Sequence, residues 1–411
     1  MVLDVVYNHI GPEGSVLREF GPYFTDRYRT PWGPAFNFDG RGSDAVREFC
    51  IENARFWVRD AHVDGFRLDA VHAIADNSAY PFVEEFTDEL HALGRALGRE
   101  VVVIAESADN NSLLTAPTGN GGRGFDAQWS EDFHHALHVA LTGEQHGYYR
   151  DYTGGAELAD AFEHGFVYRG RYSQFRGHQY GRAQPPVALG RLVVFGQNHD
   201  QVGNRPRGDR LIALAGFEAA KTALACTLLA PSIPLLFMGE EQAARTPFPY
   251  FVRHSDPDLV EAVRRGRAAE FADLPGESPD PQAESTFLSA VLTYEDTPEA
   301  DAMRALCRDL IALRRSPPAL RVPVSVAPRA TWDEASRLLT VALGTGAEEV
   351  LLVVQFVAGS GHPSSSDVLP DGPWRVVCDS AAAEYLGPTS LGNASDPQPA
   401  PSAQLLVKTS S

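Results

Sequence analysis

The stretch Gly65-Phe66-Arg67-Leu68-Asp69 is an apolar run that ends in a carboxylate. It is one of four such segments, the others being Val2-Leu3-Asp4-Val5-Val6-Tyr7-Asn8-His9, Val103-Ile104-Ala105-Glu106 and Gln197-Asn198-His199-Asp200. An unpaired carboxylate at the end of a buried strand loses much solvation energy, so four of them are most simply explained by convergence on one polar site. Parallel strands in a (β/α) barrel bring their carboxyl ends to one face, where the chemistry lies. The four segments therefore predict a (β/α) barrel.

The pattern between these segments is that of alternating strands and helices, up to about residue 316. Strands are predicted near 2–6, 63–68, 101–105, 124–128, 192–196 and 233–237. Helices are predicted between and after them at 44–61, 80–97, 211–230 and 301–315. Six strands rather than eight predict a (β/α)8 TIM-type barrel that lacks its first two strands, with unpaired sheet edges. We therefore expect the chain to be a piece of a longer protein.

Past residue 317 the pattern changes to short β-branched runs separated by turn-rich stretches, at 322–326, 338–342, 350–357, 374–377 and 405–407. This spacing predicts a C-terminal antiparallel β domain at 318–411, sandwich-like in form, after a catalytic barrel at 1–317. Within the barrel, segment 10–43 follows the first strand and is too short for an inserted domain. It is predicted to be a short substrate loop that walls the cleft.

Composition excludes several classes of partner. The 411 residues include 54 acidic and 35 basic side chains, a net charge of −19 that repels nucleic acid and anionic membranes. This balance suits a neutral ligand or a cationic partner, or only gives solubility. The four cysteines are far apart, so neither a zinc site nor a redox motif is expected. No apolar run approaches membrane-spanning length and no leader opens the chain, which favours a soluble cytoplasmic protein.

The strand-end acids differ in their expected chemistry. Arg67 and Asp69 are two residues apart on a strand and point to the same face, so the guanidinium keeps the carboxylate ionised, as a nucleophile requires. Glu106 ends an apolar strand, where burial would raise its pKa toward that of a general acid. Alone, each has a structural reading, as an ion pair or a common strand-ending acid. Together, an ionised carboxylate and a protonated carboxyl are what a retaining glycosidase needs, and Asp200 offers a third acid.

At these four segments the chain resembles the α-amylase family of glycoside hydrolases and transglycosylases. The residues 4–9, 65–69, 106 and 198–200 match the four signature regions of that family in order. The resemblance implies that Asp69 is the nucleophile, Glu106 the acid/base and Asp200 the stabiliser of the transition state. It further implies that Arg67 orients the nucleophile and that Asp4 braces the barrel. His9 and His199 are expected to donate to sugar hydroxyls, and Asn198 is expected to bind the substrate.

One departure from the family pattern concerns calcium. Where calcium-binding amylases have a histidine four residues after the nucleophile, this chain has Ala73, so no metal and no other cofactor is expected. His72, one position earlier, becomes a candidate contact to the sugars of the leaving group, or a polar residue at the start of a helix.

Aromatic rings could complete a sugar-binding cleft. Trp32, Trp129, Phe133, Tyr148 and Tyr250 fall in predicted strand-to-helix loops, where flat ring faces can stack on glucose. For any one of these rings, a place in the core is the commoner alternative. Glu240, after the last predicted strand, could bind hydroxyls or brace its loop.

Segments outside the four signatures narrow the resemblance within the family. Those at 128–137, 168–173, 195–204, 237–241 and 249–256 resemble family members that cleave the α-1,4 bond next to a terminal trehalose unit of malto-oligosaccharides. The expected activity is therefore retaining hydrolysis that releases trehalose and maltodextrin. The alternatives are an α-glucan branching enzyme or an α-amylase, a noncatalytic glucan-binding protein, and a chain that is inert because it is incomplete. The oligomeric state stays open.

Overall fold

A computed structural model describes residues 1–30, 32–270, 278–294, 296–321, 326–356, 373–387 and 401–409. The chain divides into two compact units. The first comprises Met1–Ser130, Tyr168–Tyr172 and Gln179–Val193, and the second comprises Glu131–Val167, Ser173–His178 and Val194–Ser411. Part of the strand predicted at 322–326 lies outside the described residues.

The first unit carries most of the parallel strands. Its elements are β1 (Val2–Val5), α1 (Leu17–Phe20), β2 (Phe24–Thr30), β3 (Gly33–Phe36), α2 (Ser43–Asp60), β4 (Gly65–Leu68), α3 (Phe82–Leu97), β5 (Val102–Ala105) and β6 (Ala127–Trp129). The segment 10–43 thus contains a short helix and the β2–β3 hairpin, and its role as a substrate loop stays a prediction.

The second unit is mainly helical before its C-terminal sheet. Its helices are α4 (Glu131–Thr142), α5 (Gly155–His164), α6 (His199–Gly203), α7 (Leu211–Ala215), α8 (Phe217–Leu229), α9 (Pro257–Glu270), α10 (Glu284–Ser289) and α11 (Pro298–Arg315). Three of the five points where the chain passes between units lie in strands, namely β7 (Arg171–Ser173), β8 (His178–Tyr180) and β9 (Leu192–Phe195). The remaining strands are β10 (Ile233–Leu235), β11 (Arg329–Asp333), β12 (Leu338–Leu343), β13 (Val350–Gln355), β14 (Trp374–Asp379) and β15 (Ser402–Lys408).

The six predicted barrel strands are all present. In the described residues they form one sheet in the order β1-β4-β5-β6-β9-β10, and the pairs from β1 to β9 are parallel. The register pairs Val5 with Leu68, and Leu68 with Ala105. The residues that immediately follow these strands, Asp69 and Glu106, therefore leave the sheet at the same edge, as the sequence predicts.

The helix that packs on β5 of this sheet is amphipathic. Helix α3 buries Phe82, Phe86 and Leu90 on one face, at helical spacing, against a core that includes Phe66 of β4. The helix ends at Gly98, whose φ of 68° lies in the left-handed region that glycine adopts without strain. Packing of α3 holds β4 and β5 in place.

One predicted helix is divided. The sequence predicts a single helix over 211–230, whereas α7 ends at Ala215 and α8 begins at Phe217. The residue between them, Gly216, has a φ of 89°, which an α-helix cannot contain. The glycine lets the chain change direction, and α8 then packs against the C-terminal sheet.

The C-terminal strands form an antiparallel sheet in the order β11-β12-β13-β15-β14. Helix α8 packs against this sheet, and its buried Lys221 donates to the backbone oxygen of Tyr385 at 3.0 Å and lies 3.0 Å from Glu218. The antiparallel domain is confirmed, whereas its sandwich-like form and the boundary at 317 stay predictions. Among the described residues, no helix combines the length and apolar character needed to cross a membrane.

Candidate active site

A buried arginine, Arg67, lies at the centre of the acids in the first unit. It points from the middle strand of β1, β4 and β5, and its Nη1 donates to Asp69 Oδ1 at 2.9 Å and to Asp4 Oδ1 at 2.8 Å. Its Nη2 lies 3.7 Å from Glu106 Oε2. Burial alone would lower the pKa of Arg67, but the three carboxyl groups raise it. One guanidinium thus links three acids of this unit: Asp69 and Glu106, which follow their strands, and Asp4, which lies within β1.

Asp69 is held by both of its carboxylate oxygens. Its Oδ1 accepts from Arg67, and its Oδ2 accepts from Nδ2 of Asn8 at 2.9 Å. The same Nδ2 donates to the backbone oxygen of Asp69 at 2.7 Å, and the Asp69 N–H donates to Val5 O at 3.0 Å. The carboxylate is therefore fixed in orientation while its side chain keeps 22% exposure, as an attacking group needs.

Glu106 is in a different environment. It is buried, and its Oε2 accepts from the backbone N–H of Ala70 at 2.5 Å. Burial raises the pKa of Glu106, and the Arg67 cation and the Ala70 N–H oppose this only in part. The contact depends on Ala70, whose φ of 40° is left-handed and costly for a residue other than glycine. A carboxyl with a raised pKa can hold a proton for a leaving group.

Two residues of the first segment, His9 and Asn8, form a hydrogen-bonded chain that ends at Asp69. Nδ1 of His9 bonds to Oδ1 of Asn8, which can only accept, so Nδ1 carries the proton. This orients Asn8 so that its amide donates to Asp69. Burial lowers the pKa of His9, with Asp69 opposing. The His9 ring stacks on Trp32 with centroids 4.3 Å apart, and Trp32 keeps 50% exposure.

Two further predicted residues of this unit, Trp129 and His72, differ in solvent exposure. Trp129 is buried, and the Arg67 guanidinium lies 4.4 Å from its ring centroid, so Arg67 covers one ring face. His72 is exposed in the 3₁₀ turn Val71–Ala73, and its charge acts to lower the pKa of Glu106. Trp129 is thus packed against Arg67, whereas His72 faces solvent.

The fourth signature belongs to the second unit. Asn198 is buried and caps α6, because its Oδ1 accepts from the N–H of Gln201 at 2.8 Å. His199 Nε2 and Asp200 Oδ2 are 3.4 Å apart, and both side chains are partly exposed. Because α6 begins at His199 and has only five residues, Asp200 lies in the first turn of a very short helix.

Glu240 is turned into the protein. Its Oε2 accepts from the Phe237 N–H at 2.8 Å, and burial raises its pKa to about 7, with Gln197 and Arg210 opposing. Gln197 in turn accepts from the Leu211 N–H at 2.6 Å. These contacts support the loop-bracing reading of Glu240 rather than contact with hydroxyls.

The prediction for Phe133 is wrong. Phe133 lies within α4, is 1% exposed and packs on Phe162 with centroids 5.3 Å apart, because the helix begins at Glu131. It has no ring face for a sugar. Tyr250 keeps 39% exposure, with the Arg267 guanidinium 4.6 Å from its ring centroid.

Two groups of the first unit were missed by sequence reasoning. Asn8 lies inside a quoted segment, so its polarity next to a strand end was a usable signal. The Ala70 N–H had no such signal, because nothing in the sequence marks a left-handed alanine.

As to metals, the described part of the chain brings no three His, Cys, Asp or Glu side chains together in a group that could hold an ion.

The pH dependence of stability tests the burial of Glu240. Its pKa is near 7 when folded and near 4.5 when unfolded, so the folded protein carries the cost of a buried charge above about pH 7 and loses this cost as pH falls toward 4.5. We expect Glu240→Gln to raise the free energy of unfolding by up to about 3 kcal/mol at about pH 8, and far less at about pH 5. Calorimetric melting at both pH values measures this, with Glu241→Gln as the control. An equal gain at both would contradict it.

No protein-family model matches the chain. A crystal structure from Salmonella typhimurium, described as an alpha amylase, aligns with 99% of this chain and 68% of its own length, with a TM-score of 0.83 and 35% identity. The chain belongs to the α-amylase family of glycoside hydrolases.

Two curated relatives carry a more specific name than that of the family. Malto-oligosyltrehalose trehalohydrolase of Saccharolobus solfataricus is 44% identical over 315 residues, which are 77% of this chain and 54% of the relative. The enzyme of that name from Arthrobacter ramosus is 46% identical over 325 residues, 77% of this chain and 56% of the relative. The chain spans about half the length of these curated relatives.

Proposed function

We propose that this chain is the catalytic part of a retaining glycoside hydrolase that cleaves the α-1,4 bond next to the terminal trehalose of a malto-oligosaccharide. The products are trehalose and a maltodextrin. The observation that carries the proposal is the pair of carboxyl groups that contact Arg67, one held as a partly exposed acceptor and one buried with a raised pKa. The name of the relatives at 44% and 46% identity supports the choice of substrate.

In the proposed reaction, Asp69 attacks the anomeric carbon while Glu106 protonates the departing glycosidic oxygen. The glucosyl group is then joined to Asp69, and Glu106 removes a proton from the water that hydrolyses this ester, so the configuration is retained. Asp200 stabilises the positive charge that develops on the ring. General acid–base work of this kind contributes about 10²–10⁴-fold.

The remaining candidates are proposed to bind sugars. Asn198 and His199 would donate to hydroxyls, and Arg67 would orient the nucleophile. His9, whose proton is on Nδ1 in the bond to Asn8, would instead accept from a hydroxyl through Nε2. Trp32 and Tyr250 have exposed ring faces suited to stacking, and His72 is exposed where the leaving sugars would lie. The catalytic part is proposed to end near 317, with 318–411 as a separate β domain.

Product analysis tests this proposal. The chain is incubated with a malto-oligosyltrehalose and, in parallel, with starch, and products are separated by anion-exchange chromatography. We expect trehalose and a maltodextrin whose new reducing end forms first as the α-anomer. New α-1,6 links from starch with no free trehalose would point instead to a branching enzyme, and small maltodextrins from starch alone to an α-amylase. No product from either substrate would contradict catalysis by this chain.

A further inference from the structure

Helix α4 carries three buried histidines that the proposed reaction does not use. His134, His135 and His138 are all buried. They belong to the same unit as segment 196–205, which carries Asp200. His134 and His138 lie four residues apart on one face of the helix. His134 contacts the first residue of that segment, Gly196, and His138 contacts the last, Arg205, through Glu144.

The first contact fixes the start of the segment. Nδ1 of His134 lies 2.8 Å from the backbone oxygen of Gly196, which can only accept, so Nδ1 carries the proton. Nε2 of His134 then accepts from the hydroxyl of Tyr149 at 2.9 Å. Burial holds the pKa of His134 well below its usual value, so the ring stays neutral in this arrangement.

The second contact fixes the end of the segment. Nη1 and Nη2 of Arg205 donate to the two oxygens of Glu144 at 2.8 and 2.7 Å, a forked pair with a defined orientation. Nε2 of His138 bonds to Glu144 at 2.8 Å. Burial alone would raise the pKa of Glu144, but its bonds to His138 and Arg205 hold the pKa well below its usual range.

The third contact reaches the residue next to Asp200. The hydroxyl of Tyr148 donates to Oε1 of Gln201 at 2.7 Å, and the Gln201 N–H donates to Asn198 at 2.8 Å. Helix α6 has five residues and therefore few hydrogen bonds of its own. A helix this short needs contacts from outside to hold one orientation.

We propose that His134, His138, Glu144, Tyr148 and Tyr149, the α4 clamp, are positioning residues that hold segment 196–205, and with it Asp200, in one orientation. The clamp binds the segment at its start, middle and end through groups of fixed geometry. The inference rests on the proposed function, in which Asp200 acts on the transition state. None of the clamp residues touches the substrate in this proposal, because the Tyr148 ring, a sugar-stacking candidate by its sequence, stacks on His135 instead.

The sharpest test removes one hydroxyl. Tyr148→Phe keeps the ring, which stacks on His135 with centroids 4.5 Å apart, and removes the hydroxyl that bonds to Gln201 and to the Tyr149 hydroxyl. We expect kcat for trehalose release to fall by about 10–100-fold with KM within about twofold, because small misplacement of a group that acts in the transition state lowers rate rather than binding. Affinity for an amine-linked pseudo-oligosaccharide, whose cation mimics the transition state, should fall by the same factor.

Amide hydrogen exchange and a matched variant complete the experiment. Exchange at residues 199–204 should be faster by about 10-fold in Tyr148→Phe, since local opening becomes easier. Tyr152→Phe is the control, because the Tyr152 hydroxyl donates to Asp132 in the same unit rather than to segment 196–205. Glu144→Gln should give the same pattern as Tyr148→Phe, and Gln201→Met combined with Tyr148→Phe should lower kcat no further than either change alone.

Each other outcome has a defined meaning. Unchanged exchange at 199–204 would overturn the clamp, and faster exchange with unchanged kcat would overturn its positioning role. A loss of kcat equal to that of Tyr152→Phe would show a general packing effect and would also overturn it. A wild-type chain that releases no trehalose contradicts the proposed function, whereas the exchange at 199–204 still decides whether the clamp holds the segment.

Discussion

Glu106→Gln is expected to reduce kcat for malto-oligosyltrehalose by about 10²–10⁴-fold with the fold unchanged. The glutamine has nearly the same shape, and its amide oxygen can still accept from the Ala70 N–H, the contact that Glu106 makes at 2.5 Å. What is lost is the proton for the leaving oxygen. The measurement is trehalose release under saturating substrate, with melting temperature as the check on folding.

The same variant separates acid catalysis from nucleophilic attack. Fluoride leaves without protonation, so a glucosyl fluoride should still transfer its sugar to Asp69 in Glu106→Gln, and added azide should then release an α-glucosyl azide. Asp69→Asn should show neither activity nor rescue by azide, because no ester can form. Glu52→Gln, at a surface carboxylate on α2 paired with Arg55, is the control and should match the wild type. Full activity in either Glu106→Gln or Asp69→Asn would end the assignment.

The pH profile adds an independent measure of Glu106. The group must be protonated to act, so kcat falls as pH rises through its pKa, which burial raises above the ordinary value. The alkaline limb of the profile should therefore be present in the wild type and absent in Glu106→Gln. If the alkaline limb is unchanged in Glu106→Gln, it reports the titration of a group other than Glu106.

Much of the first-unit site could be predicted because it depends on local spacing. The two-residue separation of Arg67 and Asp69 on a strand is enough to predict their contact, and an apolar strand before Glu106 is enough to predict the direction of its pKa shift. Neither inference needs knowledge of the rest of the chain. Such predictions hold when a strand is short and buried on both faces.

The errors arise where distant parts of the chain decide the outcome. Glu240 lies in a loop by its sequence, yet it is buried beside Gly196, where a Cβ atom would come within 3.2 Å of its carboxyl oxygen. Phe133 was assigned to a loop because the start of α4 at Glu131 was not recognised. The left-handed Ala70 is fixed by the contacts around it, which no local propensity encodes.

Arg67→Ala is expected to have the second large effect, a fall in kcat of about 10³-fold together with lower stability. Arg67 is buried among three carboxyl groups, and removing one partner of a buried ionic cluster costs about 3–5 kcal/mol. Because Arg67 acts to lower the pKa of Glu106, its loss should shift the alkaline limb of the pH profile to higher pH. Kinetic pH profiles and calorimetric melting measure the two effects separately.

Arg67→Lys distinguishes the charge of Arg67 from its shape. A lysine keeps the cation but lacks the planar fork that binds Asp4 and Asp69 through Nη1 and places Nη2 toward Glu106. We expect the alkaline limb to stay near its wild-type position while kcat still falls by about 10–100-fold, because Asp69 loses its fixed orientation. Asp4→Asn, at the exposed partner, should change kcat far less. An alkaline limb that moves to lower pH in Arg67→Ala would mean that Arg67 does not set the protonation of Glu106, and the argument that Arg67 tunes the acid/base would fail with it.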